Sequence, residues 1–268
     1  MIRRTTTILL VALATLAAAC LDMSAPKGPA SISVLQLPSG YVVRGDVMRD
    51  SAGAAAKLGV LAYDGDGKLI EDAGAQFFIV DSNPAAHFDA NGVLVGDRLG
   101  SIRVIGQIGN LQTPIMPIPI TLAPRTISRG QGTDTLLRTP LGADSAHSIG
   151  STPLPVIVHA VGDTGVQGVL VHYTITRTLQ SSAKEPAAYL GDNNNKPLPA
   201  DTASTDGSGN AGRIYLVVLT RRLADPSLVC GQKADTVIVD ATATYKGAQL
   251  AGSPVRIVVP VCITVSIK

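Results

Sequence analysis

From residue 235 to residue 245 the chain alternates with period two. Val237, Val239, Ala241, Ala243 and Tyr245 fall on one side, and Thr236, Ile238, Asp240, Thr242 and Thr244 on the other. Successive strand residues point to opposite faces, so this is the pattern of a strand with one buried face. No amphipathic helical pattern competes with it. Shorter strand candidates lie at 31–37, 58–63, 75–80, 101–107, 154–161, 169–175, 213–219 and 254–267. Turn signals separate them at Asp66-Gly67, Asn91-Gly92, Gly109-Asn110, Asp206-Gly207 and Lys246-Gly247. Short strands with such punctuation predict sandwiches or barrels. Pro114, Pro117 and Pro119 stand in the extended run 113–122. Each proline removes a ladder donor, so this run is expected at a sheet edge, closing a first module.

Composition sharpens the picture. Hydrophobic residues make up 46% of the chain but aromatics only 3%, tryptophan is absent, and there are 27 glycines and 17 prolines. Sheets filled by Val, Ile, Leu and Ala with many turns are expected. A faint repeat divides the chain in two. Ala62-Tyr63-Asp64-Gly65-Asp66-Gly67 matches Ala160-Val161-Gly162-Asp163-Thr164-Gly165 at an offset of 98, and Pro84-Ala85-Ala86-His87-Phe88 matches Pro186-Ala187-Ala188-Tyr189-Leu190 at an offset of 102. Similar offsets at two places point to a duplicated topology. The division is expected near residue 123, with the second module's first strand near 134–138.

The first residues have a different logic. Arg3 and Arg4 precede an apolar run from Ile8 to Leu16, followed by Ala17-Ala18-Ala19 and then Cys20. The run is shorter than the ~20 residues of a membrane-spanning helix. It reads as a signal segment, and the small residues directly before a cysteine resemble a bacterial lipoprotein signal. That resemblance implies cleavage before Cys20, lipidation of its thiol and a membrane-tethered mature chain. The family most often has leucine three residues before the cysteine, where this chain has Ala17. Leu21 rather than Asp follows the cysteine, which in a two-membrane bacterium implies the outer membrane, on its periplasmic or surface face.

A second resemblance covers most of the remainder. Asp163-Thr164-Gly165-Val166-Gln167-Gly168-Val169, Asp201-Thr202-Ala203-Ser204-Thr205-Asp206-Gly207, Gly209-Asn210-Ala211 and Val239-Asp240-Ala241-Thr242-Ala243 resemble bacterial immunoglobulin-like domains of the invasin/intimin type. The first module looks like a more diverged member. The expected fold class is therefore all-β: two tandem Ig-like β-sandwiches after an N-terminal lipoprotein signal peptide. The division is 1–19 signal peptide, 20–29 lipidated tether, 30–123 first Ig-like domain and 124–268 second, invasin/intimin-like domain. Such domains commonly serve as stiff spacers. The long segments 179–199 and 223–234 depart from the family pattern, and private contacts would sit there.

Candidate chemistry is sparse. Lys plus Arg number 22 against 20 acids, and the signal segment carries two of the arginines, so the mature chain is near neutral and lacks the basic footprint of a nucleic-acid binder. With Cys20 assigned to lipid, Cys230 and Cys262 remain, an even pair in an oxidising compartment. A disulfide is expected, the alternative being two buried thiols. Asp64-Gly65-Asp66-Gly67 lacks the further ligands of a calcium loop and reads as a turn. Asp192-Asn193-Asn194-Asn195 reads as a solvated loop. No nucleophile elbow, zinc helix or phosphate loop is present. His159 and His172 fall in strands expected to be neighbours, and His87 and His147 complete the four histidines. The expected function is a non-enzymatic, lipid-anchored envelope protein for adhesion, scaffolding or spacing, without cofactor or metal. Its partners would be the membrane and a protein or polysaccharide ligand. The ligand candidates are Tyr189, Asp192 and Asn194. A carbohydrate-binding module using Tyr189 and Tyr173, and an envelope hydrolase with an unrecognised site, are the alternatives.

Overall fold

The computed structural model describes residues 28–71, 73–131, 136–141, 148–199 and 201–264. Cys20, its lead-in segment and His147 lie outside them. The fold is all-β, with sandwich-like sheets. Apart from two 3-10 turns at Val161–Asp163 and Thr220–Arg222, all regular structure among the described residues is strand. By packing, the chain forms two compact units. Among the described residues, the smaller comprises 28–36 with Gly59–Phe78 and Ile105–Met116; the larger comprises Leu37–Leu58, Ile79–Val104 and the described residues from Pro117 to Thr264.

In the smaller unit, Ser31–Gln36, Gly59–Tyr63 and Leu69–Ile70 form an antiparallel sheet in which Ile32 pairs with Ala62 and Ala62 with Ile70. Ala62 is fully buried. A β-carbon on Gly106 would stand 2.7 Å from Val60 Cγ2 and 3.3 Å from the Phe77 ring, so glycine is what lets this strand close on the sheet. The Gly106 N–H donates to the hydroxyl of the buried Thr113 at 2.9 Å, which satisfies a polar pair inside the packing.

The larger unit is built on the 235–245 alternation. Val237, Val239, Ala241 and Ala243 are buried, and the strand Asp235–Tyr245 lies between Leu170–Arg177 and Val255–Thr264. Leu137–Pro140 extends this sheet on one side by parallel pairing, and Thr202–Ser204 on the other. A second sheet of Ile149–Pro153, Tyr215–Leu219 and Ala188–Gly191 contributes Leu216 and Val218 to the same core, and Val156–His159 contributes Val156 and Val158. Tyr173 is completely buried and its hydroxyl donates to the Ala211 carbonyl at 2.8 Å. In Leu37–Leu58 and the strands around it, Val42, Met48, Leu94, Ile102, Ile118 and Ile120 are buried.

Two features differ from the pattern-based expectation. The proline run forms the strand Met116–Thr121, which sits between two neighbours rather than at a sheet edge. Thr121 presents its carbonyl to the Arg44 N–H at 2.8 Å, and that partner strand, Val42–Val43, is only two residues long. By the period of two, Pro119 and Pro117 turn the same way as Thr121, past its end. The missing donors therefore face no ladder, and Ile118 uses the other side, accepting from Ser101 Oγ at 3.3 Å. The second departure is a set of strands without an apolar signature. In Ile149–Pro153 the buried positions are Gly150 and Thr152, and in Thr126–Arg129 only Ile127 is buried. A β-carbon on Gly150 would lie 2.4 Å from Thr139 Cγ2, so this position is small because another strand passes over it.

Cys230 and Cys262 are joined by a disulfide with their Cα atoms 4.9 Å apart. It ties the 223–234 segment to the last strand, where Cys230 N–H also donates to the Ile263 carbonyl at 3.0 Å and Ile263 N–H to that of Leu228 at 2.6 Å. The enclosed loop spans 32 positions; in the chain-entropy model its closure is worth about 3–4 kcal/mol. Urea unfolding with and without a dithiol reductant is expected to differ by about that amount, the reduced protein being the weaker.

Candidate functional site

The loop carrying Tyr189, Asp192 and Asn194 is built to hold itself. Tyr189 leaves the strand Ala188–Gly191 half-buried and its hydroxyl donates to the Asn195 carbonyl at 2.8 Å. Burial holds the Tyr189 hydroxyl above its ordinary pKa. Asp192 Oδ1 accepts from the N–H of Asn194 at 2.8 Å and of Lys196 at 2.9 Å. Asn194 is exposed. The structure thus brings the three residues into one hairpin, with the carboxylate acting as a cap for the turn. Beside it Ile175, Tyr189, Leu190, Pro197 and Leu198 line an open apolar groove of about 390 Å³. Tyr173, the other tyrosine considered for a sugar platform, is sealed in the core.

The same turn recurs. After Asp64, Asp89, Asp192 and Asp206, Oδ1 accepts from the N–H groups two and four residues on, at 2.8–3.0 Å. In each, the aspartate N–H donates to the carbonyl four residues on. Asp50 repeats the arrangement with its contact to Ala54 N–H at 2.9 Å. The fourth position always has positive φ, filled by Gly53, Gly67, Gly92 and Gly209, and by Asn195 at +61°, the residues that tolerate this region. These carboxylates therefore satisfy backbone donors that a reversing chain would leave unpaired. The acidic turns noted in the sequence are of this kind, including Asp64-Gly65-Asp66-Gly67.

The densest polar cluster was invisible in the sequence. Asp46 accepts from Arg49 through Nη2 at 2.7 Å and Nε at 3.0 Å, from the Tyr245 hydroxyl at 2.6 Å and from the Val47 N–H at 2.9 Å, and Lys246 Nζ stands 3.0 Å away. Burial on its own would raise the Asp46 pKa, but the hydrogen bonds from Arg49, Tyr245, Lys246 and Val47 reverse this and hold the carboxyl below the usual carboxylate range. Burial first, then the hydrogen bond to Asp46 and its charge, keep the proton on Tyr245; burial and the same charge do so for Tyr41. Arg49 Nη1 reaches on to the Gly53 carbonyl at 2.8 Å. The backbones meet here as well. A β-carbon on Gly53 would stand 2.4 Å from Gly247 N, and one on Gly168 2.6 Å from the Gly40 carbonyl oxygen. Tyr41, Arg49, His172, Tyr245 and Lys246 also border a small cleft of about 60 Å³. This is a docking seam that locks Leu37–Leu58 to the end of the long hairpin. Its partners lie 199 positions apart, and no local pattern marks them.

The remaining candidates separate. His159 pairs with Thr126 in a two-stranded sheet, whereas His172 pairs with Thr242 and Thr202 in the large sheet. They are not on neighbouring strands, because Val156–His159 turns to the opposite layer. His87 Nδ1 lies 2.8 Å from Asp97 Oδ2 on the surface. Segments 179–199 and 223–234 brace each other: Ser182 N–H donates to the Arg222 carbonyl at 2.9 Å and Ala224 N–H to that of Gln180 at 3.0 Å, and Arg222 pairs with Glu185. Exposed Asp225, hydrogen-bonded by Lys233 and by Ser227, is lowered to about 2. Among the described residues no three His, Cys, Asp or Glu side chains converge as a metal site, and no helix is long and apolar enough to cross a membrane.

No protein-family model matches this chain, and no curated protein matches it in sequence. Among solved structures it is similar to the S-layer protein rSbsC(31-844), at 13% identity over 88% of this chain and 28% of that one, with a TM-score of 0.31. The Yersinia pseudotuberculosis adhesin InvE gives 13% identity, 88% and 57% coverage and 0.32. Drosophila N-cadherin EC1-4 gives 13%, 90%, 49% and 0.26. The chain spans between 28% and 57% of the length of these three proteins.

Two outcomes follow from the geometry. Asp46→Asn removes the charge from a site only 12% exposed and is expected to cost about 2–3 kcal/mol at neutral pH. A carboxyl whose pKa is depressed by folding stabilises fully above its unfolded value, near 4, and loses that stabilisation as pH falls toward the folded value. The gap between wild type and Asp46→Asn in chemical denaturation is therefore expected to be constant above about pH 5 and to close progressively below about pH 4. Asp192→Ala is expected to lower stability by about 1 kcal/mol and to quicken amide exchange at Asn194 and Lys196, since it removes their shared acceptor.

Proposed function

We propose that this chain is a non-enzymatic cell-envelope protein, anchored through lipid on Cys20, whose Ig-like sandwiches act as a stiff spacer or scaffold. The observation that carries the reading is how the polar side chains are used. Five aspartates cap turns and a sixth locks the docking seam, so the groups that could do chemistry hold shape instead. The two long segments brace each other, which suits a part that must keep its form while tethered. The lead-in to Cys20 supports the anchor, and the disulfide suits an exported, oxidising location. A protein or polysaccharide ligand of the envelope or surface would lie in the apolar groove over Tyr189, Leu190 and Leu198, beside Asp192 and Asn194. If the source has two membranes, the outer one is the proposed site.

The anchor is tested by intact mass and membrane fractionation of the native protein beside Cys20→Ser. The expected result is a mature chain starting at Cys20 with added acyl mass, recovered in membranes, and an unacylated, soluble Cys20→Ser. An unmodified native chain released in soluble form would overturn it.

A further inference from the structure

The cleft of about 60 Å³ at the docking seam is bordered by more hydrogen-bond donors than the protein uses. Asp46 takes an N–H from Nε and one from Nη2 of Arg49, and the Gly53 carbonyl takes one from Nη1, so two guanidinium N–H groups have no partner among the described residues. Lys246 Nζ, half exposed, is held 3.0 Å from Asp46 and 5.4 Å from the centre of the Tyr245 ring, and keeps further N–H groups to offer. Asp46 has no lone pair to spare, because it already accepts from Arg49, Lys246, the Tyr245 hydroxyl and the Val47 N–H. Tyr41 borders the same cleft. Burial and the Asp46 charge keep its phenol protonated, and its hydroxyl makes no hydrogen bond to a described residue. Val43, Val47 and Leu170 add apolar surface, and Leu170 is 43% exposed on the outward face of the large sheet. Asp50 is the one carboxylate in the lining, and its Oδ1 accepts from the Ala54 N–H at 2.9 Å.

We infer that this cleft binds a carboxylate on an aliphatic stem, the glutamate side chain of a protein partner. Idle cationic donors are matched best by a group that only accepts, and an ionised carboxyl offers about four lone-pair sites. Hydrogen bonds between ionised groups are roughly twice as strong as neutral ones, so Lys246 and Arg49 favour a carboxylate over an amide. Size and surface select among the anions. By the volume each water needs, the cleft holds about four water-sized groups, which is room for a carboxyl with its methylene but not for the ring of an acidic sugar. Methylenes cover the apolar area of Val47 and Leu170, and inorganic phosphate has none to offer. None of the lining residues belongs to the groove over Tyr189, so the site is additional to that one and does not depend on the anchor at Cys20. Arg49 and Lys246 belong to the two segments that the seam joins, so the bound carboxylate ties them together a second time. Binding therefore stabilises the fold as well as holding the partner.

The test is a titration of the full chain, at neutral pH and low salt, with N-acetyl-glutamate N-methylamide, read from backbone amide shifts. Saturable shifts are expected at Arg49, Leu170, His172 and Lys246, with a dissociation constant on the order of millimolar, as befits a single side chain. The glutamine analogue is expected to bind about tenfold more weakly, since it forgoes the charged hydrogen bonds. Lys246→Gln, at a half-exposed site, is expected to weaken binding about tenfold as well. Thr244→Tyr, at an exposed strand position on the border, is expected to block it. Asp50→Asn keeps an acceptor for the turn and removes the like charge, so it is expected to tighten binding about two- to threefold. Absence of saturable shifts, equal binding of the glutamate and glutamine analogues, tighter binding of inorganic phosphate or D-glucuronate, or weaker binding by Asp50→Asn would each overturn the assignment. Cys20→Ser is expected to bind as the native chain does, which tells loss of the anchor from loss of this site.

Discussion

Close approach of two sheets filled by small side chains is the constraint on which the rest of the larger unit depends. Its core is mostly Val, Ala, Leu and Ile, with Tyr173 the single aromatic that is wholly buried in it. Each fully buried aliphatic side chain of Val or Leu size contributes about 1.5–3 kcal/mol, but only where the layers meet without voids. Without large rings to fill space, the sheets must come near each other, and backbone must pass over backbone. Gly165 against Ser208, Gly209 against Val158 and Gly150 beneath Thr139 are positions where that passage leaves no room for a β-carbon. A core of this kind is stiff because its side chains have few rotamers to exchange.

Chains that reverse so often leave many backbone groups without a ladder partner, and aspartate answers that need repeatedly here. A short carboxylate reaches two N–H groups of its own turn through a single oxygen. Asp46 shows the same preference at longer range, because an arginine, a lysine, a tyrosine and a backbone N–H all converge on one part-buried acceptor.

Legibility in the sequence followed the physics of each element. The strand Asp235–Tyr245 was plain because one face is apolar and the other is not, so its period shows in residue type. Ile149–Pro153 was silent because its buried positions are glycine and threonine, chosen for closeness rather than hydrophobicity. The proline run was recognised as extended, but its place in the sheet depended on the length of the neighbouring strand, which no local signal reports. The hairpin of Tyr189, Asp192 and Asn194 reads as a loop in the sequence, yet the gathering of the Asn194 and Lys196 N–H groups by Asp192 Oδ1 follows from how the chain reverses there. The recurring spacing of Asp with a Gly or Asn three residues later was present throughout and could have been read as one device. His159 and His172 lie on strands close in sequence, but the chain changes layers between them.

The seam between Asp46 and Tyr245 also fixes an order of assembly. Contacts 199 positions apart close a very long loop, and the entropy of that closure is recovered only when the intervening chain has already condensed. Leu37–Leu58 leaves the ribosome well before its hydrogen-bonding partners Tyr245 and Lys246, some 199 positions later. Until the strands that carry them have formed, Asp46 and Arg49 have each other and only the local Val47 N–H and Gly53 carbonyl besides. This early-made segment must wait for a much later one before it can settle.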